Sequence, residues 1–243
     1  MRYAIISDIH GNLEALKAVL SDISLREIDI IICLGDIVGY YPDPETCVQL
    51  IQEHAAYSVA GNHDYAAINI ISTENFTYYA YEAMEWTKAR LSEKSKKYLA
   101  SLPLTIELDK MFFTHSSPAN PEEYIYIFPN SEQAILQAFS SMVLKVNFIG
   151  HAHWPFIMVQ ENLDIINCLD SDVEIQDERY YLVNVGSVGQ PRNLSTNSSY
   201  AIFDTDEKVV SLQNVSYDFT ITQQKVMNNK LPSFLAERLA SGR

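Results

Sequence analysis

Cysteine is scarce in this 243-residue sequence, which contains three. Cys33, Cys47 and Cys168 are far apart, and none belongs to a C-x-x-C pair. An odd number of isolated cysteines argues against a disulfide framework and is typical of a reducing compartment. We therefore expect the chain to reside in the cytoplasm.

Basic residues are also few: 17 Lys and Arg against 31 Asp and Glu give a net charge of −14. A surface of this sign repels the phosphate backbone of nucleic acids and anionic membranes. No apolar run approaches the ~18 residues that span a bilayer, and the N-terminal MRYAIIS resembles a core strand rather than a leader peptide. The composition argues against a nucleic-acid-binding or membrane protein. It leaves open a small anionic substrate, which a local cluster of cations can attract.

Hydrophobic residues make up 47% of the chain, enough for the core of one large domain or two small ones. No linker or repeat divides the sequence, so we expect a single domain over residues 1–243. Residues 2–61 alternate apolar runs with segments of helical periodicity, which favours a parallel sheet covered by helices. Residues 72–101 predict two helices with a break near Leu91 and Ser92. Strand-like segments dominate after Pro103, which predicts a second sheet packed on the first, with helices outside.

Histidines and acidic residues recur where the predicted strands end, and only His54 of the six histidines lies elsewhere. Asp8 and His10 follow the first strand, and residues i and i+2 of an extended chain point the same way. The later strands are followed by the rest of the set: Asp36, Asn62, His63, Asp64, His115, His151 and His153. Ligands of parallel α/β sheets bind beyond the carboxyl ends of the strands. The pattern therefore indicates one shared site, for which a metal ion is a candidate.

The ordered motifs D-x-H, GD, GNHD, a single His and GH-x-H resemble the five motifs of the calcineurin-like metallophosphoesterase superfamily. They are formed here by residues 8–10, 35–36, 61–64, 115 and 150–153. The stretches GDIVGYYPDP and NVGSVGQPRN further resemble the small single-domain bacterial and archaeal branch, which includes YfcE-like phosphodiesterases and diadenosine-polyphosphate hydrolases. The resemblance implies a four-layer α/β/β/α sandwich of two mixed β-sheets.

The resemblance also implies a centre of two divalent metal ions. The ligands carried over by position are, for the first ion, Asp8, His10 and His153, for the second, Asn62, His115 and His151, and, between both, Asp36. Imidazole and carboxylate ligands suit Mn²⁺ or Fe²⁺, with Zn²⁺ or Ni²⁺ as alternatives, better than Mg²⁺. Two such ions can bind one phosphoryl group and deprotonate a shared water. The implied reaction is hydrolysis of a phosphate ester or anhydride by in-line attack of a hydroxide that bridges the metals.

The GNHD motif also offers a group that can act on the substrate. Adjacent side chains point in different directions, so two neighbours can face different partners. With Asn62 facing the metal, His63 can face the substrate. We expect His63 either to protonate the leaving oxygen or to donate a hydrogen bond to the phosphoryl group. Asp64 either orients the His63 imidazole or caps the following segment.

Two positions depart from the related sequences: Ser116 and Tyr41 stand where Gly is usual. Tyr40 and Tyr41 either line the substrate entrance or pack under their loop. An aromatic face beside a phosphate site favours stacking with a nucleobase, and hence a small nucleotide-containing substrate such as a diadenosine polyphosphate. Arg192 either clamps a phosphate or is a surface residue that bonds loop carbonyls.

Two other functions stay open on the sequence alone. One is a non-catalytic scaffold of the same fold; such relatives commonly lack a metal ligand or the GNHD histidine, all of which are present here. The other is a protein serine/threonine phosphatase. The sequence does not specify the oligomeric state.

Overall fold

The first part of the chain alternates strands with helices. In the computed structural model, which describes residues 1–243, the elements in order are β1 (Arg2–Ile6), α1 (Leu13–Ser24), β2 (Ile30–Cys33), α2 (Pro44–His54) and β3 (Tyr57–Ser58). The three strands pair in parallel, as the alternation predicts. Asn12 caps α1 by accepting a hydrogen bond from the backbone of Ala15 at 3.3 Å. β3 consists of two residues.

Three helices follow β3: α3 (Asn62–Ala67), α4 (Tyr78–Lys88) and α5 (Glu93–Ser101). The break predicted near Leu91 and Ser92 is confirmed, and the Ser92 hydroxyl caps α5 by accepting from the Ser95 backbone at 3.1 Å. The short helix α3, which begins inside the GNHD motif, is not among the predicted elements. Six residues are too few for hydrophobic periodicity to indicate a helix.

Strands dominate the rest of the chain. They are β4 (Thr105–Leu108), β5 (Met111–Thr114), β6 (Val146–Ile149), β7 (Phe156–Glu161), β8 (Asp164–Cys168), β9 (Asp172–Glu174), β10 (Tyr180–Asn184), β11 (Ser198–Asp204) and β12 (Val209–Val215). Helix α6 (Glu132–Ser141) separates β5 from β6, and α7 (Phe219–Asn228) and α8 (Ser233–Leu239) follow β12. No helix combines the length and the apolar composition that crossing a membrane requires.

The strands form two mixed six-stranded sheets, with the orders β3-β2-β1-β11-β12-β9 and β4-β5-β6-β10-β7-β8. In the first sheet β1, β2 and β3 are parallel, whereas β11 joins β1 antiparallel. In the second sheet β5, β6 and β10 are parallel. Each sheet therefore has a parallel half, and parallel strands end at a common edge where side chains can meet.

Apolar side chains fill three interfaces between four layers. Between the sheets, Tyr3 and Ile5 of β1 belong to one buried cluster with Phe113 and Phe148 of the second sheet. Helices α1 and α2 cover the outer face of the first sheet, and α6 packs on the second. Full burial of each such side chain contributes about 1.5–3 kcal/mol. The α/β/β/α architecture and the two mixed sheets are thus confirmed.

A fourth apolar cluster lies beside the layers. It joins the loop at Tyr40 and Tyr41 to Ala80 and Ala83 of α4, and to Val226, Leu235 and Leu239 of α7 and α8. Lys225 of α7 anchors this helix pair through ion pairs with Glu14 at 2.6 Å and Asp43 at 2.7 Å. The C-terminal helices are thereby held against the loop that follows Asp36.

Candidate metal centre

The carboxyl ends of five strands bring the predicted metal ligands together. Asp8 follows β1, Asp36 follows β2, Asn62 follows β3, His115 follows β5, and the GH-x-H motif follows β6. Three groups of side chains lie close enough for their ligand atoms to share an ion: Asp8 with His10 and His153; His10 with Asp36 and His63; and Asp36 with His115 and His151. All of these side chains are buried. Asp36 belongs to two of the groups, and so does His10.

The backbone is unusual at these positions. Asp8, His10, Asp36, His151 and His153 all have a positive φ, between 52° and 62°. Non-glycine residues rarely adopt this left-handed region, and each costs of order 1–3 kcal/mol unless the surroundings impose it. Strain concentrated at five candidate ligands is typical of a functional site, and it is a signal that the sequence does not contain.

The first group directs its lone pairs at one point. The ring Nδ1 atoms of His10 and His153 lie 3.2 and 2.6 Å from the backbone oxygens of Val38 and Gln190, to which they donate. In a ring that carries its proton on Nδ1, the Nε2 atom is an acceptor, yet the Nε2 atoms of His10 and His153 lie 3.1 Å apart. Asp8 Oδ1 is 3.0 Å from His153 Nε2. Three electron-pair donors facing one another without a proton between them fit a shared cation.

The second group also brings two ring nitrogens and a carboxylate together. His115 donates from Nδ1 to the Leu34 oxygen at 2.7 Å, which leaves its Nε2 atom 3.1 Å from His151 Nδ1. Asp36 Oδ2 lies 3.4 Å from His115 Nε2 and 3.6 Å from His10 Nε2, between the two groups. Asn62 contributes a buried Oδ1 atom that has no hydrogen-bond partner.

Unsatisfied buried atoms give an independent test of whether these residues fit metal ions. Asp8 Oδ1, Asn62 Oδ1 and His151 Nε2 are buried without a hydrogen-bond partner. An orphaned buried polar group costs about 1–3 kcal/mol, so native proteins rarely leave several in one place. A metal-coordinating atom needs no hydrogen bond, and the donor set of imidazole, carboxylate and amide oxygen suits borderline divalent ions. The residues present therefore fit the two ions.

The electrostatics of the centre also suit cations. Burial alone raises the pKa of Asp8 and Asp36, but the surrounding imidazoles outweigh it and hold both pKa values well below the usual range. Burial, with His115 or Arg192 nearby, lowers the pKa of His151 and His153 to about 3. Carboxylates that are ionised and imidazoles that are neutral are the forms that bind metal.

His115 behaves differently from the other ligand histidines. Burial favours its neutral form, but the carboxylate of Asp36 outweighs burial and raises the pKa of His115 to about 9. Without a metal, a proton is therefore retained next to Asp36. A divalent ion at this position competes with that proton, so metal binding here releases it.

His63 lies at the edge of the centre, with its backbone N–H donating to Asp36 Oδ1 at 2.8 Å. Its ring is 4.8 Å from the ring of His10, and its Nδ1 atom is buried without a partner. Burial lowers the pKa of His63, so the ring is neutral and carries one N–H. Gly39 makes room for the ring: a Cβ atom on Gly39 would lie 2.4 Å from His63 Nδ1.

Asp64 makes all its hydrogen bonds to the backbone. Its Oδ1 atom accepts from Ile37 at 2.9 Å and Val38 at 3.2 Å, and its Oδ2 atom accepts from Gly61 at 3.0 Å. These bonds join the loop after β2 to the start of α3 and fit the capping alternative. The other alternative, in which Asp64 orients the His63 ring, has no contact to support it.

The two tyrosines of the GDIVGYYPDP loop have different positions. Tyr41 is fully buried within the cluster at α4, α7 and α8, and its hydroxyl accepts from Gln190 Nε2 at 3.0 Å. It therefore cannot stack on a substrate, and its assignment as a substrate-binding residue is corrected in favour of packing under the loop. Tyr40 lines the cleft beside the centre, and its ring lies 4.6 Å from His10 and 4.7 Å from His63.

Arg192 reaches the same place from the loop after β10. Its guanidinium bonds Gln190 Oε1 at 2.8 Å and lies 3.5 Å from the Tyr40 hydroxyl. These partners are side chains rather than the loop carbonyls of the surface alternative. Gln190 also accepts from the His153 ring through its backbone oxygen, so one residue links a candidate ligand to Arg192.

A cleft of about 450 Å³ opens beside Asn62, His63 and His151. Its walls include three aromatic residues that belong to none of the sequence motifs: Phe76, Tyr124 and Tyr126. Tyr126 is 45% exposed and stacks on the His151 ring at 3.9 Å, and Phe76 lies 4.8 Å from the His63 ring. Ser116, which stands where Gly is usual in the related sequences, stabilises the loop that forms this wall, because its hydroxyl donates to the Pro121 oxygen at 3.1 Å.

Comparison with known proteins agrees with this geometry. The model of the calcineurin-like phosphoesterase superfamily domain matches residues 1–208. An uncharacterized protein of Methanocaldococcus jannaschii is 40% identical over 244 residues, which cover 99% of this chain and 98% of that protein. The crystal structure of a metallophosphoesterase from Sphaerobacter thermophilus is 36% identical with a TM-score of 0.87, covering 100% of this chain and 99% of the other.

A hypothetical protein from Pyrococcus horikoshii is 19% identical, with a TM-score of 0.82 over 100% of this chain and 98% of the other. At this identity the likeness concerns the fold alone. The matched relatives cover all twelve strands of this chain. The family model covers β1 to β11, which include every strand that precedes a candidate ligand.

Proposed function

This chain belongs to the calcineurin-like phosphoesterase superfamily, and on that premise we propose that it hydrolyses a small phosphorylated substrate with the help of two divalent metal ions. The observation that carries the proposal is the pair of imidazole contacts at 3.1 Å, His10 with His153 and His115 with His151. Ring nitrogens at this distance, beside orphaned oxygens of Asp8 and Asn62, are arranged as ligands.

The residues that would hold the ions are, for one ion, Asp8, His10 and His153, for the other, Asn62, His115 and His151, and, between them, Asp36. Mn²⁺ and Fe²⁺ fit this donor set best, with Zn²⁺ and Ni²⁺ as alternatives. When bound, such ions supply charge stabilisation for a phosphoryl group and lower the pKa of water. The neutral amide of Asn62 adds a ligand without adding negative charge, so the centre keeps its attraction for phosphate.

His63 is proposed to act on the substrate. A neutral imidazole holds one N–H, which suits a hydrogen bond to the phosphoryl group as charge develops in the transition state. Protonation of the leaving oxygen remains the alternative role, and the two differ in their dependence on the leaving group. Asp64 supports this arrangement through the backbone bonds that hold α3 against the loop after Asp36.

The substrate is proposed to contain a nucleotide, with diadenosine polyphosphates as the leading example. The support is the aromatic lining of the cleft, in which Tyr40, Phe76 and Tyr126 surround the approach to the centre. Base–aromatic stacking contributes about 1–3 kcal/mol per base. Arg192 is proposed to bind phosphate beside Tyr40. We further propose that residues 1–243 act as one domain and that the protein works in the cytoplasm, in keeping with its three free cysteines.

Hydrolysis of bis-p-nitrophenyl phosphate tests the proposed function. The protein is treated with a chelator, dialysed, and assayed with and without added Mn²⁺. We expect no turnover without metal and restoration by Mn²⁺. The variant His115→Ala should stay inactive, whereas His54→Ala, at an exposed histidine on α2, should behave as the native protein. Absence of Mn²⁺-dependent turnover on this diester and on a panel of nucleotides and phosphopeptides would instead favour a scaffold.

A further inference from the structure

Four residues that line the cleft carry a buried polar atom without a hydrogen-bond partner: Asn62, His63, Tyr124 and His151. The proposed metal ions account for Asn62 and His151, and the substrate accounts for His63. The Tyr124 hydroxyl has no such role. A buried hydroxyl without a partner destabilises a fold, so native proteins rarely retain one that serves no contact. The Tyr124 oxygen therefore indicates a further contact in the cleft.

Tyr124 lies beside the second group of candidate ligands. The centre of its ring is 6.3 Å from the centre of the His115 ring and 6.2 Å from that of the His151 ring. His63, in contrast, lies beside the first group, with its ring centre 4.8 Å from that of His10. The cleft therefore has an unpartnered polar side chain near each of the two ligand groups.

The backbone at Tyr124 is held in an unusual conformation. Its φ of 50° and ψ of 46° lie in the left-handed region, which tyrosine rarely adopts. The chain is fixed on both sides of this residue: the Ser116 hydroxyl donates to the Pro121 oxygen at 3.1 Å, and Ile127 is buried in the cluster under α6. A strained backbone and an orphaned hydroxyl in one residue are typical of a side chain that is placed for a ligand.

The chemistry of a phenol limits what this ligand can be. A phenol carries its proton at neutral pH, and burial, with the charge of Asp36, raises the pKa of Tyr124 further. A protonated hydroxyl donates a hydrogen bond to an oxygen acceptor, whereas a metal ion would require the deprotonated form. The acceptors expected in this cleft are phosphoryl oxygens, and hydrogen bonds to charged acceptors are the stronger ones.

We propose that the Tyr124 hydroxyl binds the substrate by donating a hydrogen bond to a phosphoryl oxygen on the side of His115 and His151. Tyr124 is then a further catalytic residue, since it touches the group that reacts. The inference rests on the proposed function, because it takes the phosphoryl group to lie at the two ligand groups. It adds to the centre a donor from the segment between β5 and α6, which contains none of the sequence motifs.

Binding of methylphosphonate, which presents phosphoryl oxygens and is not hydrolysed, tests the proposal on the variant Tyr124→Phe. The substitution removes the hydroxyl and keeps the ring. Calorimetry on the Mn²⁺-loaded protein measures the affinity, and elemental analysis of the same sample measures the metal content. We expect the variant to retain the metal content of the native protein and to bind methylphosphonate about ten- to a hundredfold more weakly, as for loss of a hydrogen bond to a charged group.

Melting curves of the Mn²⁺-loaded protein without methylphosphonate give a second readout. Removal of an orphaned hydroxyl should raise the melting temperature of Tyr124→Phe, by up to about 4 °C. Tyr200→Phe is the matched control, because the Tyr200 hydroxyl donates to Asp22 Oδ2 at 2.6 Å. This control should have a lower melting temperature than the native protein and the native affinity for methylphosphonate.

An affinity of Tyr124→Phe for methylphosphonate equal to that of the native protein would overturn the proposal. Loss of an ion from the variant would also overturn it, because the hydroxyl would then be a metal ligand. A lowered melting temperature would do the same, since the hydroxyl would then have a partner within the protein. Absence of Mn²⁺-dependent binding to the native protein would overturn it as well. Failure of the proposed function is decided separately, by hydrolysis of the simple diester.

Discussion

Tyr40 lies between two regions of different construction. We call the loops that carry the candidate metal ligands the strand side, and the helices α4, α7 and α8 the helical side. On the strand side, residues with left-handed backbone present buried polar atoms that lack hydrogen-bond partners, as at Asp8 and His151. On the helical side, α4, α7 and α8 pack ordinary apolar residues against Tyr40 and Tyr41. Strain and unsatisfied atoms mark where an ion is expected, whereas the helical side shapes what lies next to it. We infer that the strand side sets the reaction and the helical side sets the substrate.

The largest effect is expected from a change on the strand side at Asp36. Because its carboxylate is 3.4 Å from His115 Nε2 and 3.6 Å from His10 Nε2, Asp36→Ala should lose metal at both positions and abolish turnover. His10→Ala is the comparison and should chiefly weaken one position. Elemental analysis after dialysis against Mn²⁺ measures both. Retention of two ions per chain in Asp36→Ala would refute the bridging role.

The next largest effect is expected at His63, on the border between the two sides. His63→Ala should retain its metal and lose about 10²–10⁴-fold in turnover, the usual contribution of a positioned acid–base or hydrogen-bonding group. Rates on p-nitrophenyl and alkyl esters separate its two roles. A smaller loss for p-nitrophenyl esters indicates protonation of the leaving oxygen, and equal losses indicate a bond to the phosphoryl group.

Gly39→Ala tests how far turnover depends on the position of the His63 ring. The substitution lies in the neighbouring loop and changes no polar side chain. The φ of Gly39 is +95°, and the added Cβ would come within 2.4 Å of His63 Nδ1, so the ring must move. We expect a loss of turnover of up to about 10²-fold, as for misplaced catalytic groups, with metal content retained. Turnover close to the native rate would show that the position of the His63 ring is not critical.

The smallest effect is expected on the helical side at Tyr41. Tyr41→Phe removes the hydroxyl that accepts from Gln190 and should lower the free energy of unfolding by about 1 kcal/mol. Because Tyr41 is buried, kcat/KM for nucleotides and for small aryl phosphates should change in parallel. A selective loss for nucleotides would restore Tyr41 as a substrate-binding residue. Melting curves and kinetics on both substrate types provide the measurement.

The strand side could be predicted from the sequence, and the helical side largely could not. Polar residues directly after apolar strands have few structural explanations, so Asp8, Asp36 and His115 stand out in the printed chain. Tyr126 lies in an irregular segment with no motif, and its stacking on His151 depends on how that segment folds back. Arg238 occupies a helix in AERLA, where an arginine is ordinary, and only the tertiary packing brings it to Tyr40.

Tyr41 shows why composition alone misleads on this side. Two successive tyrosines indicate an aromatic surface, but the positive φ of Tyr40 and Gly39 turns the loop so that only Tyr40 faces the cleft. The α4 and C-terminal helices bury the other. The local sequence does not predict this turn, because tyrosine rarely adopts a left-handed backbone conformation.

The number of ions that the native protein binds tests the central claim most directly. The protein is stripped with a chelator, equilibrated by dialysis against Mn²⁺ and analysed for metal and protein content, with the Asp36→Ala variant in parallel. The account predicts two ions per native chain, none retained after chelation, and a higher melting temperature when both are bound. A native chain that binds one ion, or none, at saturating Mn²⁺ would contradict it.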